Sequence, residues 1–206
     1  MKKSFIVVTL VVATIIALAA CQSNASDKRA YKPVVLSQDS LEKRGAYLVY
    51  TMLCDDCHSP KKMGPNGPEI IPELRLSGAR GNGKLPAIDP SETKKGWTMF
   101  NEDFTAIAGA WGVSFAGNLT SDETGIGSWT EVQFKKALTQ GKYKGLDNGR
   151  TFLPPMPWPQ FSILKDEDIK AIYTFLKSTN PVQNRVPAPM TPEDLVKKSK
   201  ISGNFR

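Results

Sequence analysis

At 206 residues the chain has room for one domain or, barely, two, and its 40% hydrophobic and 23% charged content suits a globular interior with a solvated face. Fifteen prolines and 16 glycines imply long irregular connections between fewer regular elements than the length suggests. The net charge of +7 is compatible with an anionic membrane surface or an acidic protein partner, and without an aromatic-interleaved basic patch it gives no reason to invoke nucleic acid.

Lys2 and Lys3 precede an apolar run, FIVVTLVVATIIALAA, that is broken only by Thr9 and Thr14. A positive start followed by a short apolar stretch predicts an export signal over residues 1–20. The alternative is an uncleaved anchor, for which the run is a little short, since a spanning helix needs about 20 apolar residues. Leu18, Ala19 and Ala20 stand before Cys21 in an arrangement that resembles bacterial lipoprotein processing sites. That resemblance implies cleavage before Cys21 and a lipid on its sulfur. Loss of Lys2 and Lys3 leaves 25 basic against 20 acidic side chains, about +5. Residues 21–37 then form a lipidated tether, polar and aperiodic, that reaches at most about 50 Å and typically spans nearer 20 Å, on the order expected of a flexible chain.

Leu41, Gly45, Leu48, Val49 and Met52 recur at helical spacing and predict a helix over 38–53, with Gly45 permitting close approach of a second helix. Directly behind it stands TMLCDDCHSP. Cys54, Cys57 and His58 form the C-x-x-C-H attachment sequence of c-type haem. On a helical turn, positions i, i+3 and i+4 share a face, so both thiols can form thioethers with the vinyl groups of one porphyrin edge while His58 reaches the iron as proximal ligand. Three other readings compete. A disulfide would close a very short loop and stabilise little. A thioredoxin-like pair needs a preceding strand, whereas YLVYTML reads as helix. A zinc site needs about four ligands, and His58 is the only histidine of a chain with three cysteines.

Residues 59–127 are rich in Gly, Pro and polar side chains and predict a long irregular insertion wrapping the haem edge, with a short hairpin near WGVSF. Within it GARGNGK, Gly78 to Lys84, imitates a phosphate-binding loop, but Leu85 replaces the required Ser or Thr and no strand-then-helix pattern frames it, so it reads as a flexible loop. Ser128 and Glu131 suggest a capping box for a helix ending near Gly141. A last helix over 166–177 places Ile169, Ile172, Tyr173 and Leu176 on one face behind an acidic first turn. Residues 181–206 read as a Pro-rich and basic extension, with VKKSKISGNFR a solvated tail.

A sixth iron ligand has to come from elsewhere than histidine, and methionine is the usual remaining strong donor. Met52 belongs to the apolar stripe of the first helix, Met63 follows His58 too closely, Met99 is unsupported and Met190 lies in the Pro-rich extension. Met156 stands in LPPMPWPQF, where four prolines fix backbone angles and let the loop hold a side chain at an iron with little entropy lost. Asn118, Trp129, Arg150 and Trp158 are candidate donors to the haem propionates, with ordinary packing or surface exposure as the competing reading for each.

CDDCH together with LPPMPWP resembles a single-haem class I cytochrome c domain. GNLTSDETGIGSWTEVQFKKALTQGK and the stretch from GRTFLPPMPWPQF to Pro189 resemble, more closely, the haem domains of cytochrome subunits serving bacterial membrane-bound alcohol, aldehyde and gluconate dehydrogenases. Those subunits usually carry two or three such motifs and this chain has one, so a multi-haem relay is not implied. The resemblance implies an all-α cytochrome c fold over 38–180, with three main helices around one covalently bound haem c. It further implies a one-electron carrier between a membrane or periplasmic dehydrogenase and a terminal oxidase or another cytochrome, lipid-anchored and facing the periplasm. Two readings compete with it. An open-site haem enzyme or gas or peroxide binder would lack a distal histidine, and a haem-bearing structural subunit of a dehydrogenase would need no turnover of its own.

Overall fold

The computed structural model describes residues 36–201 apart from Lys84. The expected export signal, Cys21 and the tether up to residue 35 lie outside the described residues, as do residues 202–206. No helix among the described residues is long and apolar enough to cross a membrane.

The three expected helices are present. Helix α1, Gln38–Thr51, starts where the Ser37 hydroxyl accepts a hydrogen bond from the Ser40 amide, and Lys43 pairs with Asp39 along its first turns. Residues 54–58 form a short α2, described below, and Pro90–Lys94 a short α3. Helix α4, Glu131–Gln140, ends on Gly141 in the left-handed region, φ 65°. Its capping box uses Thr130 and Gln133 rather than Ser128 and Glu131. Two such boxes overlap in SWTEVQ, and the Trp129 amide is already bonded to the Ile126 carbonyl, which sets the helix two residues later. After a single turn, α5 at Trp158–Phe161, helix α6 covers Asp166–Ser178, with Asp166, Glu167 and Asp168 at its positive end and Lys177 at its negative end.

Helices α1 and α6 cross at Gly45, where a Cβ would fall 2.0 Å from the Ala171 carbonyl oxygen, so only glycine lets the two backbones meet. Arg44 and Asp168 form an ion pair beside the crossing. The main core gathers Val49, Leu76, Ile126, Phe134, Ile169, Ile172 and Leu176 from α1, α4, α6 and the insertion. The Phe134 and Tyr173 rings lie 5.6 Å apart, joining α4 to α6.

The insertion corrects the expectation of an all-α fold with irregular chain between haem motif and later helices. It holds an antiparallel hairpin, β1 at Lys61–Gly64 with β2 at Gly67–Ile70, and a three-stranded antiparallel sheet of β3 (Met99–Phe100), β4 (Ala106–Gly109) and β5 (Gly112–Phe115). The β4–β5 hairpin is the one expected near WGVSF, with Ala108 opposite Val113 and Gly109 opposite Gly112 across a two-residue turn. Gly112, the strand residue that follows the turn, has φ 101°, a value that residues with a side chain rarely adopt.

The stretch after residue 180, expected as a Pro-rich and basic extension, packs in part against the small sheet. Met190 bridges to Val113, and helix α7, Pro192–Ile201, buries Leu195 in a second apolar cluster with Ala108 and Val113. The VKKSKI part of the expected solvated tail is therefore helix, with Lys197 and Lys198 on its exposed side.

A candidate haem-attachment site

Helix α1 stops at Met52, and Leu53 adopts the left-handed conformation with φ 59° before CDDCH winds into α2, Cys54–His58. This one turn sets the thiols and the imidazole at i, i+3 and i+4, on one face. Both cysteines are free and half-buried. Burial, with the neighbouring Asp55 charge second, pushes the Cys54 thiol up to about 12, and burial also raises Cys57. No cluster of three or more His, Cys, Asp or Glu donors forms among the described residues.

The His58 ring donates from Nδ1 to the Gly117 carbonyl, 2.7 Å away. That bond fixes the tautomer and leaves Nε2 for a metal. Desolvation lowers the His58 pKa from its ordinary value, against the raising effect of the Gly117 bond, which favours the neutral ring that ligates. Leu48, Leu119, Leu138 and Leu164 pack on the main core yet remain partly exposed, apolar surface of the kind a planar macrocycle covers. Two free thiols and an imidazole on one helical turn, a fixed imidazole tautomer and partly exposed apolar side chains together fit a c-type haem.

Three groups that the sequence did not single out hold this turn in place. Asp55, buried, accepts from Arg75 Nη2 at 2.7 Å and from Nε at 3.0 Å, and the fully buried Ser59 hydroxyl donates to it at 2.6 Å. Ser59 Oγ in turn accepts from the Leu76 amide at 2.8 Å. Behind the histidine, the Gly78 amide donates to the His58 carbonyl at 2.7 Å and the Ala79 amide to the Ala116 carbonyl at 2.9 Å. The first part of GARGNGK is thus not a flexible loop but a buried support of the His58–Gly117 contact. Arg75→Met leaves the Asp55 carboxylate with a lone hydroxyl partner. It is expected to cost about 1–3 kcal/mol, less than a fully buried broken pair because solvent screens Arg75. Chemical denaturation measures this, and equal midpoints for wild type and variant would remove the pair from the account of stability.

Of the other named residues, Met156 is half-buried and belongs to neither apolar cluster. Its loop is held by the Phe152 amide on the Gly141 carbonyl, 2.7 Å, and by Ser114 Oγ on the Pro154 carbonyl, 2.6 Å; the Pro154–Pro155 peptide is cis. The remaining candidates are committed elsewhere: Met52 and Met190 to the two cores, Met99 to β3, and Met63 to an exposed position on β1. Trp158 lies against Gly141, where a Cβ would come 2.6 Å from the indole. Arg150 is exposed and stacks 4.4 Å from the Tyr143 ring centroid, near the Met156 loop in sequence. Trp129 packs on the main core, and its carbonyl accepts from the Tyr173 hydroxyl at 2.7 Å.

Asn118 departs most from its expected place. Its buried amide donates to the Val182 carbonyl at 2.8 Å and to Thr124 Oγ1 at 3.1 Å, while its oxygen accepts from the Thr120 amide at 2.9 Å and hydroxyl at 2.8 Å. This internal network occupies the group that was expected to face a propionate. Asn184 completes the clasp by donating to the Ser77 and Ala79 carbonyls at 2.7 and 2.9 Å. The only sequence signal for either residue is an asparagine in a Pro- or Gly-rich loop, a signal without a unique meaning.

Comparison with known proteins agrees with this geometry. The chain is 31% identical over 148 residues to the gluconate 2-dehydrogenase cytochrome c subunit of Pantoea cypripedii, covering 71% of this chain and 25% of the relative. It is 42% identical over 80 residues to the cytochrome c subunit of the quinone alcohol dehydrogenase of Gluconobacter oxydans, 37% of this chain and 16% of the relative. It is 35% identical over 88 residues to the fructose dehydrogenase cytochrome subunit of Gluconobacter japonicus, 42% of this chain and 17% of the relative. The chain thus spans at most a quarter of the length of these relatives. Residues 42–180 match the cytochrome c family profile, which takes in the whole CDDCH turn and the Met156 loop, and the chain is a member of that family with haem c attached through Cys54 and Cys57.

Proposed function

We propose that this cytochrome c is a one-electron carrier of an extracytoplasmic respiratory chain, with His58 and Met156 as the two axial ligands. The haem supplies a single iron that cycles between Fe(II) and Fe(III). The observation that carries the reading is the Nδ1 bond of the chain's only histidine to Gly117, which leaves Nε2 as the ligating nitrogen. Met156 is half-buried and belongs to neither apolar core, and its Pro-rich loop is held by the Phe152 and Ser114 bonds, which supports it as the second donor. A thioether donor favours the ferrous form and raises the reduction potential, and a closed sixth position excludes small ligands. The protein's own part is then to hold both donors still, so that little rearranges when the electron arrives or leaves. No substrate pocket is required.

The expected lipid on Cys21 and the tether of residues 21–37 place the domain on a membrane facing the periplasm, within reach of a membrane dehydrogenase. Likeness to cytochrome subunits of gluconate, alcohol and fructose dehydrogenases supports a dehydrogenase as the electron donor. Of the four propionate candidates, Arg150 and Trp158 flank the Met156 loop in sequence and retain that assignment. Asn118, whose amide is bonded within the protein, is assigned to the scaffold, and Trp129 remains a candidate through its indole N–H.

The test is the visible spectrum of the purified holoprotein, ferric and ferrous, with carbon monoxide added to the ferrous form. Wild type is expected to carry a methionine-to-iron charge-transfer band and to ignore carbon monoxide. Met156→Ala is expected to lose the band and bind the gas, and Met156→His to lower the midpoint potential by on the order of 0.1 V, within the ~0.8 V span that axial ligands set. Prompt carbon monoxide binding by wild type would overturn the Met156 assignment and favour an open-site enzyme or sensor.

A further inference from the structure

Lys61 opens β1 just beyond the haem-attachment turn. Its Nζ donates to the carbonyls of Asp56 at 2.7 Å, Ser59 at 2.9 Å and Asp103 at 3.2 Å, with Asp55 at 3.3 Å, and stands 5.6 Å from the Phe104 ring centroid. Asp56 belongs to α2 and Ser59 caps it, so the ammonium pairs carbonyls at the helix end and shares that of Asp55 with the Ser59 amide. The Asp103 carbonyl belongs to a turn that is itself fixed, because the Asp103 carboxylate accepts from Asn101 Nδ2 at 2.7 Å and from the Thr105 amide and hydroxyl at 3.1 and 2.6 Å. One half-buried cation therefore bolts the long insertion to the turn that carries Cys54, Cys57 and His58. Four surrounding oxygens call for the three N–H donors of a charged ammonium.

We infer that Lys61 is a positioning residue for the haem-attachment turn and that its fixed positive charge raises the reduction potential of the haem bound there. The inference rests on the electron-carrier reading above. Its sign follows from charge alone. The ferric centre carries one more positive charge than the ferrous, so a nearby cation disfavours it, and more strongly where water is excluded than at the surface. Lys61 is set against the carboxylates of Asp56 and Asp103, whereas Asp55 is already balanced by Arg75. Removing the ammonium leaves two uncompensated negative charges, which stabilise ferric iron further. Its neighbour Lys62 is exposed and has the same formal charge, which makes it the control.

The experiment is a spectroelectrochemical titration of full-length holoprotein at low and physiological ionic strength. At a fixed applied potential, Lys61→Met is expected to shift the ferric-to-ferrous ratio at least threefold toward ferric, about 28 mV at 59 mV per tenfold. Lys61→Arg, which keeps charge and donors, should recover most of the shift, and Lys62→Met should give less than half of it, fading with salt. If Lys61→Met fails to mature, Lys61→Gln keeps a donor without the charge and should show the same direction of shift. A Lys61→Met or Lys61→Gln potential equal to that of Lys62→Met would overturn the inference. A wild type without covalent haem, or without a reversible one-electron wave, would instead sink the electron-carrier reading itself.

Discussion

Gly45→Val is expected to destabilise the fold by more than about 3 kcal/mol and to leave little soluble holoprotein, because the crossing of α1 and α6 has no room for a side chain. The first added carbon would stand 2.0 Å from the Ala171 carbonyl oxygen and 2.6 Å from Phe175 Cβ. The obstacle is backbone, which cannot swing aside as a long side chain does. Overpacking in a core commonly costs about 1–3 kcal/mol, and valine adds two further methyls to a contact already closed to alanine. Driving the helices apart also uncovers Leu41 and Val49 on α1 and Ile169, Ile172 and Leu176 on α6, all buried. Tyr47→Val, at an exposed position of the same helix, separates helix propensity from the crossing and should cost less than about 1 kcal/mol. Denaturant unfolding of both variants decides it: a Gly45→Val protein within about 0.5 kcal/mol of wild type means the helices do not meet at Gly45.

That crossing was legible because helical periodicity is a long-range signal within one element. Leu41, Gly45, Val49 and their counterparts on α6 repeat over several turns, so α1 was expected over 38–53 and is found at Gln38–Thr51, and α6 over 166–177 and found at Asp166–Ser178. Cys54, Cys57 and His58 were legible for a different reason: covalent haem attachment dictates residue types, and few other chemistries use that spacing. The small sheet was not. AIAG in β4 is buried at all four positions, so it shows no alternation, and four residues are too few for a pattern to stand out. The supports of the haem turn were hidden more deeply. Gly117 and Gly78 act through a carbonyl and an amide that any residue possesses, and Asn118 and Asn184 act on backbone groups far away in sequence. Only a fold brings such groups together. Asp55 occupies a variable position of the C-x-x-C-H pattern, and nothing in that pattern points to its partner Arg75.

Gly78→Ala is the substitution expected to separate stability from redox function. Gly78 has φ 76°, where an L-residue is strained, and its Cβ would fall 2.5 Å from the Ala116 carbonyl oxygen and 2.6 Å from that of Gly117. Strain and clash together are expected to cost about 2–4 kcal/mol. The atom it strikes matters more than the cost. The Gly117 carbonyl is the acceptor for His58 Nδ1, and Gly78 itself donates to the His58 carbonyl, so the added methyl pushes on the peptide that orients the ring. A donor bond at Nδ1 makes an imidazole a stronger ligand, which favours ferric iron. Weakening it should therefore raise the midpoint potential, by on the order of tens of millivolts where 59 mV is a tenfold change in the ferric-to-ferrous ratio. Gly45→Ala, placed in the same assay, should lose stability without moving the potential, since its clash lies at Ala171 and Phe175. If both glycine variants lose stability and neither moves the potential, the His58–Gly117 bond contributes to packing alone. If Gly78→Ala alone shifts it upward, the backbone behind His58 is part of the electron-transfer site.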